Sequence, residues 1–238
     1  MSLMSGYFVA GTDTGVGKTL VSCILLREFV ARGGAAVGMK PVASGCVATA
    51  AGWVSEDVSR LMAAGNVTAP REWINPYAFK PSVAPHIAAR LAGASIRLPR
   101  IRAAFHKLRE RADVVVVEGI GGFRVPLSER RDTADLARIL GLPVILVVGM
   151  KLGCLNHALL TAEAIRGRGL RLAGWVANRI DPGMAEFEAN VEALQERLNA
   201  SLLGVIPHLS GSAPEHVAPA LDWAKSLPVN NLALRRGQ

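Results

Sequence analysis

Aromatic residues, cysteines and long apolar runs are all scarce in this sequence of 238 residues. Phenylalanine, tryptophan and tyrosine together make up only 5% of the chain, and there are three cysteines. Cys23, Cys46 and Cys154 are far apart, and no Cys-x-x-Cys pair occurs. Neither a disulfide framework nor a cysteine-based zinc site is therefore expected.

The sequence also lacks a segment that could cross a membrane. Its longest apolar run, residues 142–149, is interrupted by Pro143 and is far too short to span a bilayer. The first residues do not combine a positively charged segment with a long apolar stretch, as a secretory signal would. We therefore expect a soluble cytoplasmic protein with no membrane partner.

Acidic residues are fewer than basic ones, 19 against 27, which gives a formal net charge of +8. Such an excess occurs in proteins that bind nucleic acid or other anions. The charges are scattered, however, and the densest group lies in residues 97–111, among apolar residues at helical spacing. This pattern favours a solvated helix face over an anion-binding patch, so no nucleic-acid partner is expected.

A glycine-rich stretch near the start of the chain, Gly11–Thr19, reads GTDTGVGKT. A short apolar run precedes it, and apolar residues at helical spacing follow it from Leu20. A glycine-rich turn between a strand and a helix directs backbone N–H groups and the positive end of the helix dipole at one point, which suits a phosphate. The stretch is a variant P-loop, because Thr12 takes the place of the first glycine. It predicts nucleotide binding, with Lys18 at the β- and γ-phosphates and the Thr19 hydroxyl on Mg²⁺.

Apolar runs that end in a polar or glycine residue alternate with helical patterns along the chain. This alternation predicts parallel strands joined by helical crossovers. Because the runs are unbroken rather than alternating, both faces of the sheet should be covered. We expect an α/β fold of one P-loop domain, residues 1–238, with a mostly parallel sheet and helices on both faces. The expected strands are residues 7–10, 35–39, 114–117, 144–148, 172–177 and 203–206.

Polar residues follow the ends of these strands. In an open parallel sheet, ligands bind beyond the carboxyl ends of the strands, so residues far apart in sequence should meet at one edge. The residues expected there are Thr14, Lys18, Lys40, Glu118, Lys151 and Asn178.

Three of the charged residues have more than one explanation. Glu118 follows four valines, and a buried carboxylate needs a partner, either a magnesium ion shared with Thr19 or an ion pair with Lys40 or Lys18. Asp57 opens a helical pattern, where it would bind metal or complement the helix dipole. Lys40 is either a surface charge or a second cation on a transferred phosphoryl group.

Seven segments of the chain resemble dethiobiotin synthetase, and they occur in order over most of its length. The long match around Asn156 discriminates best between this family and other P-loop proteins. The segments are GTDTGVGKT at 11–19, KPVASG at 40–45, NPY at 75–77, PHI at 85–87, VEGIGG at 117–122, PVILVVGMKLGCLNHA at 143–158 and GWVAN at 174–178.

The resemblance implies an ATP- and Mg²⁺-dependent ligase of biotin synthesis that makes dethiobiotin from 7,8-diaminononanoate and CO₂. One substrate amine becomes a carbamate, a carbamate oxygen attacks the γ-phosphate, and the second amine displaces phosphate from the mixed anhydride. The resemblance also implies a homodimer in which the loop at 149–156 binds the substrate carboxylate across the interface.

The resemblance further implies roles for individual residues. Lys18 and Lys40 are the expected catalytic cations, and Asn178 is expected at the adenine edge. The expected magnesium ligands are Thr19, Asp57 and Glu118. The expected substrate contacts are Thr14, Lys40, Ser44, Gly153, Cys154 and Asn156. The expected nucleotide contacts are Gly15, Val16, Gly17, Lys18, Thr19, Leu20, Asp57, Glu118, Gly119, Ile120, Gly121, Asn178, Arg179, Pro207, His208, Leu209 and Glu215.

The chain departs from the family at three positions. Gly15 stands where some members carry a glutamate, Phe187 about where others have a tyrosine, and His208 replaces a bulkier aromatic residue near the base.

Two other classes of protein share parts of the pattern. A switch ATPase that positions DNA or membrane cargo has this fold, but such relatives carry a lysine where Asp13 stands. An ATP-dependent amidoligase of the cobyrinate type normally works beside a glutaminase domain, and we expect no such domain here.

Overall fold

The chain forms a six-stranded parallel sheet flanked by helices, in a computed structural model that describes residues 6–50, 52–209 and 227. The strands of these residues are β1 (Gly6–Gly11), β2 (Ala36–Met39), β3 (Val42–Ala43), β4 (Val47–Thr49), β5 (Gly52–Val54), β6 (Tyr77–Ala78), β7 (Val114–Glu118), β8 (Val144–Gly149), β9 (Leu172–Asn178) and β10 (Leu202–Ile206). The helices are α1 (Lys18–Ala31), α2 (Glu56–Ala64), α3 (Arg71–Ile74), α4 (Pro85–Leu91), α5 (Leu98–Arg109), α6 (Thr133–Leu140), α7 (Cys154–Gly167) and α8 (Phe187–Arg197).

The six long strands lie in the order β10, β9, β8, β1, β7, β2, and each pairs in parallel with its neighbours. All six were expected from the sequence, with bounds that differ by one residue at some ends. The mostly parallel α/β fold is thereby confirmed. Two small sheets were not expected: β3 pairs with β6, and β4 pairs with β5 in a hairpin.

Successive side chains of β7 point to opposite faces of the sheet and enter two separate apolar clusters. Val115 and Val117 join the cluster formed with α5, α6, α7 and α8, whereas Val114 and Val116 join the cluster formed with α1 and α2. Both clusters are buried, so the strand needs apolar residues at every position. This packing explains the unbroken runs of valine and isoleucine in the sequence.

The basic residues within 97–111 lie along α5 and at its ends, so the predicted helix is present. The apolar side chains Ile101, Phe105 and Leu108 of this helix are buried, and its arginines lie at the surface. Two of the basic groups pack on an aromatic ring, since Lys107 Nζ and the Arg111 guanidinium lie 5.0 and 4.5 Å from the centre of the Trp73 ring. Cation–π contacts therefore hold part of the basic group against the protein surface.

Among the described residues, no helix combines the length and the apolar character that a membrane crossing requires.

The N-terminus of α6 is held by a reciprocal pair of aspartates. The Asp132 side chain accepts a hydrogen bond from the Asp135 backbone N–H at 2.9 Å, and the Asp132 N–H donates to Asp135 Oδ2 at 3.1 Å. Arg124 and Arg168 form ion pairs with Asp132. Burial opposes the charged form, but the Asp135 N–H and Arg124 outweigh it, and the pKa of the Asp132 carboxyl lies below its usual value.

Replacing Asp132 by alanine should lower the free energy of unfolding by about 1–2 kcal/mol at pH 7, because a helix cap is lost. Since the pKa of Asp132 is lowered on folding, its contribution is present above the unfolded pKa of about 3.9 and is lost as the pH falls through the folded value. Urea titrations at pH 7 and pH 3 would measure both effects. Glu163→Ala on exposed α7 surface is the control, and an equal loss in both variants would contradict the assignment.

Candidate active site

The loop between β1 and α1 is shaped by two glycines. Gly15 and Gly17 have φ angles of +74° and +94°, which strain residues with a side chain. Gly17 also lies against Asn178, because a Cβ atom at position 17 would meet Asn178 Nδ2 at 2.2 Å. The helix begins at Lys18 rather than at Leu20, where the apolar pattern in the sequence begins. The unpaired N–H groups of its first turn are therefore directed to the loop, as a phosphate site requires.

Lys18 is held at the centre of this loop. Its side chain is buried, and Lys18 Nζ donates a hydrogen bond to the Asp13 carbonyl at 2.7 Å. Burial and the nearby charge of Lys40 lower the pKa of Lys18 to about 8, although Glu118 and Asp57 act in the opposite direction. The ammonium is thus confined among charged groups that come from three distant parts of the sequence.

Lys40 forms two ion pairs just beyond the end of β2. Lys40 Nζ lies 2.5 Å from Glu118 Oε1 and 2.9 Å from Asp57 Oδ2. Burial disfavours the charged amine, but Glu118 and then Asp57 outweigh it and raise the pKa of Lys40. Asn75, in the NPY segment, donates to the Lys40 carbonyl at 2.6 Å and so fixes the backbone at this point. Of the partners considered for Glu118, the ion pair with Lys40 is therefore present.

Thr19 connects the same two carboxylates. Its hydroxyl oxygen lies 2.9 Å from Asp57 Oδ1 and 2.9 Å from Glu118 Oε1, and its one proton serves one of them at a time. Asp57 lies at the beginning of α2, and the ion pair with Lys40 lowers the pKa of its carboxyl despite burial.

The donor set around Thr19 fits a magnesium ion. Glu118 is 1% exposed, and its second oxygen, Oε2, has no hydrogen-bond partner within the described residues. Two carboxylates and one hydroxyl are hard oxygen ligands of the kind Mg²⁺ takes together with substrate phosphates and water. No group of three or more His, Cys, Asp or Glu side chains with metal-site geometry occurs in the described part of the chain. Such an ion would therefore depend on phosphate oxygens for part of its coordination.

A cavity of about 410 Å³ joins these groups. It lies over the carboxyl ends of β1, β2 and β7, where the sequence predicts a ligand. Most of the predicted site residues line it. They are Thr14, Gly15, Gly17, Lys18, Thr19, Leu20, Lys40, Ser44, Asp57, Glu118, Ile120 and Gly121.

Two expected residues contribute from below the cavity surface. Val16 is buried in the apolar cluster of α1. Gly119 donates its N–H to the Val9 carbonyl at 3.0 Å and accepts a hydrogen bond from Lys40 Nζ at 3.2 Å. These residues therefore support the loop and Lys40 from behind.

Three further cavity residues were missed in the sequence, Ala43, Arg60 and Ser82. Arg60 carried a signal, because it lies one helical turn after Asp57 and so shares its side of α2. Ser82 lies in a loop whose course no local pattern predicts.

A second cavity, of about 490 Å³, lies beside the ends of β9 and β10. Three of the residues predicted to contact the nucleotide, Arg179, Pro207 and His208, line it. The Phe187 ring lies under the Arg179 guanidinium, 4.8 Å from the ring centre. Asn178 is buried between this cavity and the P-loop, and its Nδ2 donates to the Val16 carbonyl at 2.9 Å.

Two expected nucleotide contacts remain, Leu209 and Glu215. Leu209 packs against the α1 cluster. Glu215 lies outside the described residues.

The loop between β8 and α7 does not reach the first cavity in its own chain. Gly153, at φ +91°, precedes the first residue of α7, Cys154, which is buried. Asn156 is exposed on that helix, and Leu152 is 95% exposed. The loop is nevertheless tied to the P-loop, since Lys151 Nζ lies 3.6 Å from Asp13 Oδ2. Within one chain, the expected substrate contacts thus form two groups. The first group lines the first cavity and the second lies in the loop before α7 and in its first turn: Thr14, Lys40 and Ser44, and Gly153, Cys154 and Asn156.

Relatives match nearly the whole chain. The ATP-dependent dethiobiotin synthetase BioD of Aromatoleum aromaticum is 58% identical over 90% of this chain and 96% of its own length. The protein of the same description in Nitrosospira multiformis is 53% identical over 94% of this chain and 98% of its own length. The chain belongs to the dethiobiotin synthetase family.

The fold of the chain also resembles that of proteins outside the dethiobiotin synthetase family. A family model described as an AAA domain matches residues 5–216. The solved MinC:MinD cell division protein complex of Aquifex aeolicus resembles the structure with a TM-score of 0.61, at 13% identity, over 94% of this chain and 98% of that one. At such low identity the likeness extends to the fold alone. It confirms the P-loop NTPase-like architecture and gives the switch ATPase alternative no further support.

Replacing Lys40 by methionine should destabilise this dethiobiotin synthetase by about 3–5 kcal/mol, because Glu118 is left buried without its cation. Urea unfolding of wild type and variant measures the difference. Lys151→Met is a matched control, because Lys151 and Asp13 form an ion pair with side chains 41% and 49% exposed, and such pairs contribute less than about 1 kcal/mol. Equal losses in the two variants would show that burial of the Lys40 pair has no special effect.

Proposed function

We propose that the cavity beside the P-loop holds the γ-phosphate of ATP next to a carbamate formed from 7,8-diaminononanoate and CO₂. ATP-dependent synthesis of dethiobiotin, a ligase reaction of biotin biosynthesis, is the function that follows from family membership. The observation that carries the proposal is the meeting of Lys18, Lys40, Asp57 and Glu118 at one cavity at the end of the P-loop.

The proposed reaction has three steps. One amine of the substrate attacks CO₂ and loses a proton, which gives the carbamate. A carbamate oxygen attacks the γ-phosphorus, the bond to the β-phosphate oxygen breaks, and ADP leaves. The second amine then attacks the carbonyl carbon of the mixed anhydride, the bond to the phosphate oxygen breaks, and loss of a proton leaves the cyclic urea of dethiobiotin and free phosphate.

The presence of Lys18 and Lys40 at one cavity supports this sequence of steps. Negative charge gathers on the γ-phosphoryl oxygens and the carbamate, and fixed cations in a water-poor site stabilise it most strongly. We assign Lys18 to the β- and γ-phosphates and Lys40 to the carbamate and γ-phosphate oxygens. Lys40 would exchange its contacts with Asp57 and Glu118 for these oxygens during turnover. Thr14 and Ser44, on the cavity wall, are assigned to the substrate.

Thr19, Asp57 and Glu118 are the proposed ligands of a magnesium ion. The unpaired Glu118 Oε2 and the hard oxygen donors support this assignment. When bound, the ion would neutralise phosphate charge and orient the triphosphate. With the ion beside them, Asp57 and Glu118 would hold the Lys40 ammonium less strongly. The ammonium could then contact the reacting oxygens.

The second cavity is the proposed site of the nucleobase. Arg179, Pro207 and His208 would surround the base, and Asn178 would bind its edge through the amide oxygen while Nδ2 holds the P-loop at Val16. The same proposal includes Leu209 and Glu215 near the base and ribose.

We also propose that the enzyme works as a homodimer with its substrate site at the interface. Gly153, Cys154 and Asn156 do not line the cavity of their own chain, and Leu152 and Leu160 beside them are 95% and 57% exposed. An exposed apolar surface next to unused substrate contacts suits a partner subunit. The N-terminus of α7 would then bind the substrate carboxylate of the neighbouring chain.

A cytoplasmic location belongs to the same proposal. The three cysteines are all free and buried, which is compatible with a reducing compartment.

The deciding experiment is incubation of the purified protein with 7,8-diaminononanoate, bicarbonate and MgATP, followed by mass spectrometry. We expect dethiobiotin and one ADP per ring formed. Hydrolysis of ATP without ring closure would overturn the proposal and favour a switch ATPase.

Lys40→Met should lower kcat by about a hundredfold or more, the scale of losing one charge stabiliser at a reacting group. The unfolding curve of the variant sets a temperature at which it is folded, and turnover is compared with wild type there at saturating substrates. Turnover within a few-fold of wild type would remove Lys40 from the mechanism.

Asn156→Ala should raise the KM for 7,8-diaminononanoate, and a mixture of this variant with Lys18→Ala should be more active than either alone. In a hybrid dimer with a shared site, one of the two sites contains both native residues. Activity is measured before and after subunit exchange, with each variant exchanged against itself as the control. No gain on mixing would show that Asn156 does not act across an interface.

A further inference from the structure

Arg60 lines the active-site cavity, although nothing in the P-loop pattern calls for it. It lies one turn after Asp57 on α2, and residues three apart on a helix share a side. Asp57 itself reaches Lys40 at 2.9 Å and Thr19 at 2.9 Å. Arg60 therefore lies in the cavity wall near Asp57, one of the proposed magnesium ligands.

The ion pair that Arg60 forms does not explain its position. Arg60 Nη2 lies 2.5 Å from Glu56 Oε1, in side chains that are 43% and 77% exposed. An exposed pair four residues apart on a helix contributes only a few tenths of a kcal/mol to stability. Glu56 does not line the cavity, so it holds the guanidinium from the outer side. Since a guanidinium has five N–H donors, this one contact leaves others for a ligand.

The charges of the cavity leave a place for a third cation. Lys40 is paired with two carboxylates, and Lys18 Nζ donates to the Asp13 carbonyl. The negative charges of a bound triphosphate, a carbamate, Asp57 and Glu118 together exceed the positive charges of Lys18, Lys40 and one Mg²⁺. Arginine binds phosphate oxygens through two parallel N–H groups, which a lysine cannot do.

We propose that Arg60 binds the triphosphate of ATP through non-bridging oxygens on the side that faces α2. This inference rests on the proposed function only in that ATP occupies this cavity. A contact of this kind acts on substrate and transition state alike, so it lowers the KM for MgATP and leaves kcat nearly unchanged.

Arg60→Ala should therefore raise the KM for MgATP about tenfold and change kcat less than threefold, because a charge-assisted hydrogen bond of about 1.5 kcal/mol is lost. The Kd of a non-hydrolysable ATP analogue, measured by titration calorimetry with Mg²⁺, should rise by the same factor. Arg60→Lys should give an intermediate value, since it keeps the charge but not the paired donors. The difference in the Kd of the analogue between Arg60→Ala and wild type should narrow as salt is raised. The Arg60 side chain is partly exposed to solvent, so salt screens its charge.

Two controls separate binding from structure. Glu56→Gln breaks the same surface ion pair but keeps the cation, so KM should stay within twofold of wild type. A tenfold rise in Glu56→Gln would assign the effect to the ion pair and overturn the proposal. Arg138→Ala removes an exposed arginine of α6 far from the cavity and should change nothing. If alanine at position 60 disturbs folding, Arg60→Gln, which keeps most of the side-chain length, is measured instead.

Dethiobiotin formation by wild type and nucleotide binding by Arg60→Ala together distinguish failure of the proposed function from failure of the Arg60 contact. If wild type makes dethiobiotin and the Kd of the analogue is unchanged in Arg60→Ala, the Arg60 proposal fails alone. If wild type makes no dethiobiotin but Arg60→Ala weakens nucleotide binding tenfold, the proposed function fails and the phosphate contact stands.

Discussion

A carboxylate buried at the end of a central strand is the constraint on which the site depends. Glu118 is almost fully excluded from solvent, and such a charge is tolerated only beside a cation. Lys40, just after the end of β2, forms the ion pair with Glu118. Thr19, near the beginning of α1, contacts both Glu118 and Asp57, and Asp57 lies at the beginning of α2. The groups that make a buried Glu118 tolerable are therefore the same groups that a triphosphate and a metal ion require.

The order of the strands makes this assembly possible. β1 lies between β7 and β8, so the P-loop that follows it is flanked by the ends of both neighbours. The parallel arrangement directs all these ends to one edge. Two apolar clusters, one on each face, hold the strands in register, and the charged groups of the site lie at that edge. The small sheet of β3 and β6 adds a wall on the side of Lys40, whose backbone Asn75 fixes.

The long strands and the edge residues could be predicted because both follow from local rules. Unbroken valine runs identify buried parallel strands, and a polar residue at the end of such a run belongs to the ligand edge. The pairing of Lys40 with both Glu118 and Asp57 could not be chosen over other partners, since a sequence does not give distances. Ser82 was missed because the course of a loop follows from no local pattern, and Arg60 was missed although its helical spacing from Asp57 places it on the same side of α2. The division of the substrate contacts between two parts of the surface depends on tertiary geometry, which the motif around Asn156 does not contain.

The hydrogen bond from Asn178 to the Val16 carbonyl connects the two cavities mechanically. One amide side chain fills the space that Gly17 leaves open and supports the loop from beneath. A substitution at position 178 would therefore alter the shape of the phosphate loop as well as the wall between the two cavities. Arg179, Pro207 and His208 border the second cavity without a hydrogen bond to this loop among the described residues, so their side chains can change while the shape of the loop is kept.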